Sequence, residues 1–106
     1  MKNFFFKYDD YKLEQFQFEN LSTSIVNFAF YSFDPVENIP PKYSHMFLNV
    51  KVSKDPFQVL VEQGFEKESP LVLICKNGKK SRKAVKKGVN SGFKNIYFVE
   101  GGLEGL

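Results

Sequence analysis

The amino-acid sequence predicts an α/β domain with an open, mostly parallel sheet flanked by helices. Three observations lead there. From Met46 onward the chain reads strand, helix, strand, helix, strand, the order that builds parallel sheets. Leu71-Val72-Leu73-Ile74 is unbroken in its apolarity, as strands covered on both faces are. A chain of 106 residues, 42% hydrophobic and 25% charged, has the size and composition of one globular domain.

Each element follows from local pattern. Gln15-Phe16-Gln17-Phe18 alternates polar and apolar, which predicts a half-buried strand or edge ribbon. Ser24 to Tyr31 is mostly apolar and β-prone and reads as a buried strand. Asp34-Pro35 and Ile39-Pro40-Pro41 mark a loop region. Met46 to Val52 suits another strand. Ser53 or Asp55 can cap a helix opening near Pro56, because proline is tolerated in a first turn. Phe57, Val59, Leu60, Val61 and Phe65 supply its apolar face, and Gly64 its stop. After the strand at Leu71–Ile74, Ser81 to Asn90 is helical, with Ala84, Val85 and Val89 inward and lysines outward. Ser91-Gly92 ends it. Asn95 to Val99 is a last strand before a tight turn at Gly101-Gly102.

Composition excludes several classes. No apolar run approaches the ~18 residues needed to span a bilayer. Phe4-Phe5-Phe6 is followed by Lys7, Asp9 and Asp10, far short of the ~7–15 apolar residues of a secretory signal. One cysteine, Cys75, leaves no disulfide framework and no zinc site built from several thiolates; one histidine, His45, leaves no histidine cluster. His45 is read as structural or solvated. No cofactor and no metal are expected, and a cytoplasmic location is.

Charge is uneven. Residues 70–106 carry eight basic and two acidic side chains, a net +6, and the first 69 carry seven basic and ten acidic, a net −3. The basic third suits an anionic ligand, although lysines on a solvated helix face give the same count.

The chemistry concentrates in Cys75-Lys76-Asn77-Gly78-Lys79-Lys80-Ser81-Arg82. An apolar strand delivers a cysteine to its carboxyl end, where ligands bind in parallel sheets. A short loop with a central glycine follows, and a helix opens. Gly78 permits a tight turn that aims successive N–H groups inward as an anion nest. The helix start adds unpaired N–H groups and partial positive charge. Both effects, with Lys76, Lys79 and Lys80 close by, favour a thiolate. A lone cysteine is most often a small buried hydrophobe. This context points instead to a nucleophile.

Cys75 to Ser81 resembles the active-site loop of rhodanese-like sulfurtransferases of the single-domain type. In that family the cysteine opens a six-residue loop, glycine is fourth, and Ser or Thr begins the helix. Gly92-Phe93-Lys94-Asn95-Ile96-Tyr97-Phe98-Val99-Glu100-Gly101-Gly102 resembles the family's closing segment, a Gly-Phe turn, a strand and a Gly-Gly pair. The resemblance implies one rhodanese-like domain over residues 1–106, with its first two thirds divergent. The family's Asp-x-Arg is absent near Phe28–Asp34, and Arg82 is the only arginine. Ile39-Pro40-Pro41 or Ser44-His45-Met46 takes the place of its His-Ile-Pro-Gly-Ala segment.

The resemblance further implies that the Cys75 thiolate takes a sulfane sulfur from thiosulfate or a persulfide donor, releases sulfite in the first case, and passes the sulfur from a Cys75 persulfide to an acceptor. Lys76, Asn77, Gly78, Lys79, Lys80 and Ser81 would contact the donor, with Ser81 also capping the helix. The expected partners are a small anionic donor and a protein sulfur acceptor, not nucleic acid or membrane. The other reading is a non-catalytic sulfur-carrier or interaction module. Cysteine phosphatases share the cradle but need Arg where this chain has Ser81, and Arg82 is one residue too late, about 100° around a helix.

Overall fold

The structure is a computed structural model and describes residues 7–22, 29–44 and 55–105. A parallel sheet organises it. Among the described residues four strands, β1 (Lys12–Leu13), β2 (Ala29–Ser32), β3 (Leu71–Ile74) and β4 (Ile96–Val99), lie in the order β1-β4-β3-β2. Every pairing is parallel, with Tyr31 opposite Leu73, and Leu73 opposite Phe98. The helices are α1 (Gln15–Ser22), α2 (Pro41–Ser44), α3 (Pro56–Glu62) and α4 (Lys79–Asn90). The α/β class with a parallel sheet is as the sequence predicts.

The unbroken apolarity of β3 has the expected cause. Successive strand residues face opposite ways. Leu71 and Leu73 join Tyr31, Ile96 and Phe98 in a core closed by Phe57 and Leu60 of α3 and Val85 of α4. Val72 and Ile74 join Phe30 and Val99 in a second core with Phe18, Ile39, Tyr43 and Leu103. Both faces are covered, and the strand carries no polar side. Each fully buried Leu, Ile or Val contributes ~1.5–3 kcal/mol.

Gln15–Phe18 is a correction: it is the start of α1, not a strand. In a strand Phe16 and Phe18 would share a face. Here Phe18 is fully buried and Phe16 is 65% exposed, as a helical turn of about 200° between them requires. The helix is held by what it touches. Phe18 makes edge-on contacts with Phe30 and Tyr43 at 5.8 and 5.2 Å, and the Tyr43 hydroxyl donates to Glu19. The Asp34–Pro41 loop region also holds more order than expected, a 3-10 turn at Val36–Asn38 and the start of α2. The β1 strand has no sequence forecast at all, being two residues long.

The Asp55 carboxylate caps α3 by accepting from Gln58 N at 3.3 Å, with Pro56 in the first turn. Helix α4 opens at Lys79 rather than Ser81, so Ser81 lies inside its first turn. The last strand begins at Ile96, one residue after the expected start, and the second at Ala29 within the described residues. His45, Ser53, the strand expected at Met46–Val52 and the Ser24–Phe28 part of another lie outside the described residues.

Candidate active site

Cys75 follows β3 directly, at the carboxyl end of the central strands. Its side chain is 2% exposed. The Sγ accepts the N–H of Gly78 at 3.2 Å and the N–H of Ser81 at 3.4 Å. The Ser81 hydroxyl lies 3.5 Å from the same sulfur and also donates to Gly78 O at 3.2 Å. One hydroxyl proton serves one acceptor at a time: while it is on the carbonyl, Ser81 Oγ can accept from a Cys75 S–H, and a deprotonated sulfur can only accept from it. The sulfur therefore sits inside a turn of backbone, facing amide hydrogens at the start of α4.

Gly78 makes the turn. It is the N-cap of α4 with φ of +90°, a left-handed conformation suited to glycine, and it is buried. Gly78 has no side chain with which to cap the helix; the first-turn N–H groups of Lys79 and Ser81 go instead to the Asn77 side chain and the Cys75 sulfur. The expectation that Ser81 caps it is corrected. Ser81 is three residues past the cap, fully buried, and its hydroxyl points back to Gly78 O. Its place against the sulfur follows from the earlier start of α4, because the third helical residue returns over the N-terminal turn.

The remaining loop residues separate into two groups. Asn77 is exposed, and its side chain accepts the Lys79 N–H at 3.0 Å, which tightens the turn. Lys76, Lys79 and Lys80 are exposed around the rim. A cleft of about 290 Å³ beside the loop is lined by Asn77, Gly78, Lys79 and Arg82, and also by Asp9 and Glu100. Lys80 is not among its lining residues. Its rim is therefore of mixed sign, not the purely basic one that the lysine count suggests. Arg82 is held over the Tyr8 ring at 4.1 Å, a cation–π contact beside the cleft.

Three features escape a reading of the sequence. Asp9 reaches the cleft because the 3-10 turn Tyr8–Tyr11 packs against α4 and β4. Glu100 is brought there by the end of β4. Nearby, Lys12 is held above its ordinary pKa by a hydrogen bond to Glu14 and by the charges of Glu14 and Asp9. Gly102 is the third. A Cβ on it would stand 2.2 Å from Cys75 O and 2.5 Å from Gly78 N, so no other residue fits without displacing the loop. The Gly-Gly pair in the sequence was the available signal, but it indicated a turn and not what the turn touches.

The chemistry open to this arrangement is that of a single sulfur nucleophile in an amide cradle. Among the described residues no three His, Cys, Asp or Glu side chains gather to hold a metal. No helix there is long and apolar enough to cross a membrane.

Comparison with known proteins gives two findings. A family model described as "Rhodanese-like domain" matches residues 37–106, which include Cys75, its loop and the Gly101-Gly102 turn. The chain is also 41% identical over 44 residues to a curated Arabidopsis thaliana protein, "Rhodanese-like domain-containing protein 11, chloroplastic". That alignment covers 42% of this chain and 15% of the relative, so the chain spans a small part of that protein's length.

Proposed function

This chain belongs to the rhodanese-like domain family, and from that premise we propose that it is a sulfurtransferase working through a persulfide on Cys75. The observation that carries the proposal is the convergence of the Gly78 and Ser81 N–H groups on the Cys75 sulfur. Sulfur transfer needs an anionic nucleophile that stays anionic after it has accepted a sulfur atom. Fixed amide hydrogens stabilise both states without needing to rearrange.

The reaction is two displacements. The Cys75 thiolate attacks the outer sulfur of thiosulfate. A Cys75 S–S bond forms, the thiosulfate S–S bond breaks, and its electron pair leaves with sulfite. An acceptor such as cyanide or a thiolate then attacks the outer sulfur, takes it, and returns the thiolate to Cys75. An alkyl persulfide donor gives the same intermediate with a thiolate as leaving group. Lys79 and Lys80 draw anionic donors to the rim, and the Ser81 hydroxyl turns toward whichever sulfur carries charge. A protein thiol is a further acceptor compatible with an exposed loop rim.

Intact mass spectrometry tests this. Incubation with thiosulfate should add one sulfur atom, which cyanide or a reducing thiol removes, and Cys75→Ala should gain nothing. Cys75 is the only cysteine of these 106 residues, so no second thiol within them can discharge the persulfide. A protein that stays unloaded by thiosulfate and by alkyl persulfides would be a binding module and not a transferase.

A further inference from the structure

The turn after β4 grips the outside of the Cys75 loop. The Leu103 N–H donates to Cys75 O at 2.9 Å, and the Glu104 N–H donates to Lys76 O at 2.8 Å. The peptide bonds are trans. In a trans peptide the carbonyl and the next N–H point in opposite directions. Holding the Cys75 carbonyl outward therefore aims the Lys76 N–H away from the turn, and holding the Lys76 carbonyl does the same for Asn77. Neither of these N–H groups has an acceptor among the described residues. The turn itself is anchored, since Leu103 is buried in the core beneath it with Phe18, Ile74 and Val99. Its close approach depends on Gly102, whose φ is +61° and whose position leaves no room for a Cβ.

We propose that the 3-10 turn Gly102–Gly105 is a positioning element of the Cys75 site. By fixing two carbonyls outward it presents the Lys76 and Asn77 N–H groups as the second half of the anion cradle. Gly78 and Ser81 serve the Cys75 sulfur. Lys76 and Asn77 serve the charge one atom further out, on a bound sulfur or an incoming anionic donor. The substrate in this proposal rests on the sulfurtransferase reading; the aim of the amides does not.

The test removes one N–H and no side chain. An ester in place of the Leu103–Glu104 amide can be built into the full chain by joining a synthetic 75–106 segment at Cys75. Alkylation of Cys75 by iodoacetate and by iodoacetamide is then compared. The reagents are alike in size and differ in charge, so their rate ratio reports how strongly the loop favours an anion. The ester protein, folded by circular dichroism, should lose about tenfold in that ratio and in its rate of sulfur uptake, a loss below that of a whole oxyanion donor. Gly102→Ala should lose at least as much. Glu104→Ala, which keeps the N–H, should retain the ratio. A folded ester protein with unchanged ratio and uptake overturns the proposal, and so does a fall in Glu104→Ala equal to that of the ester. If the unaltered protein takes sulfur from neither thiosulfate nor an alkyl persulfide, the sulfurtransferase reading fails, while the alkylation ratio still decides the role of the turn.

Discussion

Phe65 stacks on Phe93 with ring centroids 6.3 Å apart and planes 22° apart, and each follows the glycine that ends a helix. Helix α3 closes through Phe65 N to Leu60 O, and α4 through Phe93 N to Gly88 O, with Gly64 and Gly92 at φ of +86° and +100°. The same stop is used twice, and the two phenylalanines join the helices below the sheet. Gly64→Ala should therefore cost about 1–2 kcal/mol from its left-handed backbone alone, since a Cβ there meets nothing within 4 Å. Gly64→Asn should cost less. Chemical denaturation measures both, and equal stabilities for the two variants would sink the argument.

The two phenylalanines of α1 make a second test of the fold. Phe18→Ala should lose ~3–5 kcal/mol, because its ring is fully buried among Phe30 and Tyr43. Phe16→Ala should stay within ~0.5 kcal/mol, because its ring is 65% exposed. Comparable losses at both positions would mean that Gln15–Phe18 packs as a strand after all.

At the rim, the double substitution Lys79→Glu and Lys80→Glu should raise the Michaelis constant for thiosulfate, with a smaller effect on turnover. Added salt should do the same to the unaltered protein, since exposed charges are screened over about 10 Å at 0.1 M. Lys79 and Arg82 balance Asp9 and Glu100 in the lining of the cleft, so the single Lys79→Glu should already make it net negative. Kinetics insensitive to both charge and salt would assign the lysines to solvation.

Aryl phosphates should not be hydrolysed at a useful rate. Phosphate transfer in a cysteine cradle needs a guanidinium within it. The only arginine here, Arg82, lies over Tyr8, and the residue turned toward the sulfur is Ser81. Phosphatase turnover lost in Cys75→Ser would refute this.

Much was legible from the chain because it is local. Leu71–Ile74 announces a strand buried on both faces, since every position is apolar. Ser53 or Asp55 ahead of Pro56 announces a helix start, since a short polar side chain and a proline both suit it, and the structure gives the cap to Asp55. The Cys75–Ser81 spacing announces the loop, since a strand, a glycine and a helix opening follow one another within a few residues.

The tertiary structure decided what depends on contacts far along the chain. Local alternation makes Gln15–Phe18 a strand; a helix wins because Phe18 then reaches Phe30 and Tyr43 while Phe16 faces water. Lys12–Leu13 is a strand only because Phe98 and Val99 pair with it. Helix α4 shows the same division. The lysines mark its outer face in the sequence, but its start at Lys79 is set by the left-handed Gly78, which is packed against Gly101 and Gly102. The cysteine and its loop are thus written in the sequence by residue type and spacing. The direction in which that loop's amides point is not, because it is set by hydrogen bonds to Cys75 and Lys76 from a turn more than twenty residues away, whose distance only the folded sheet closes.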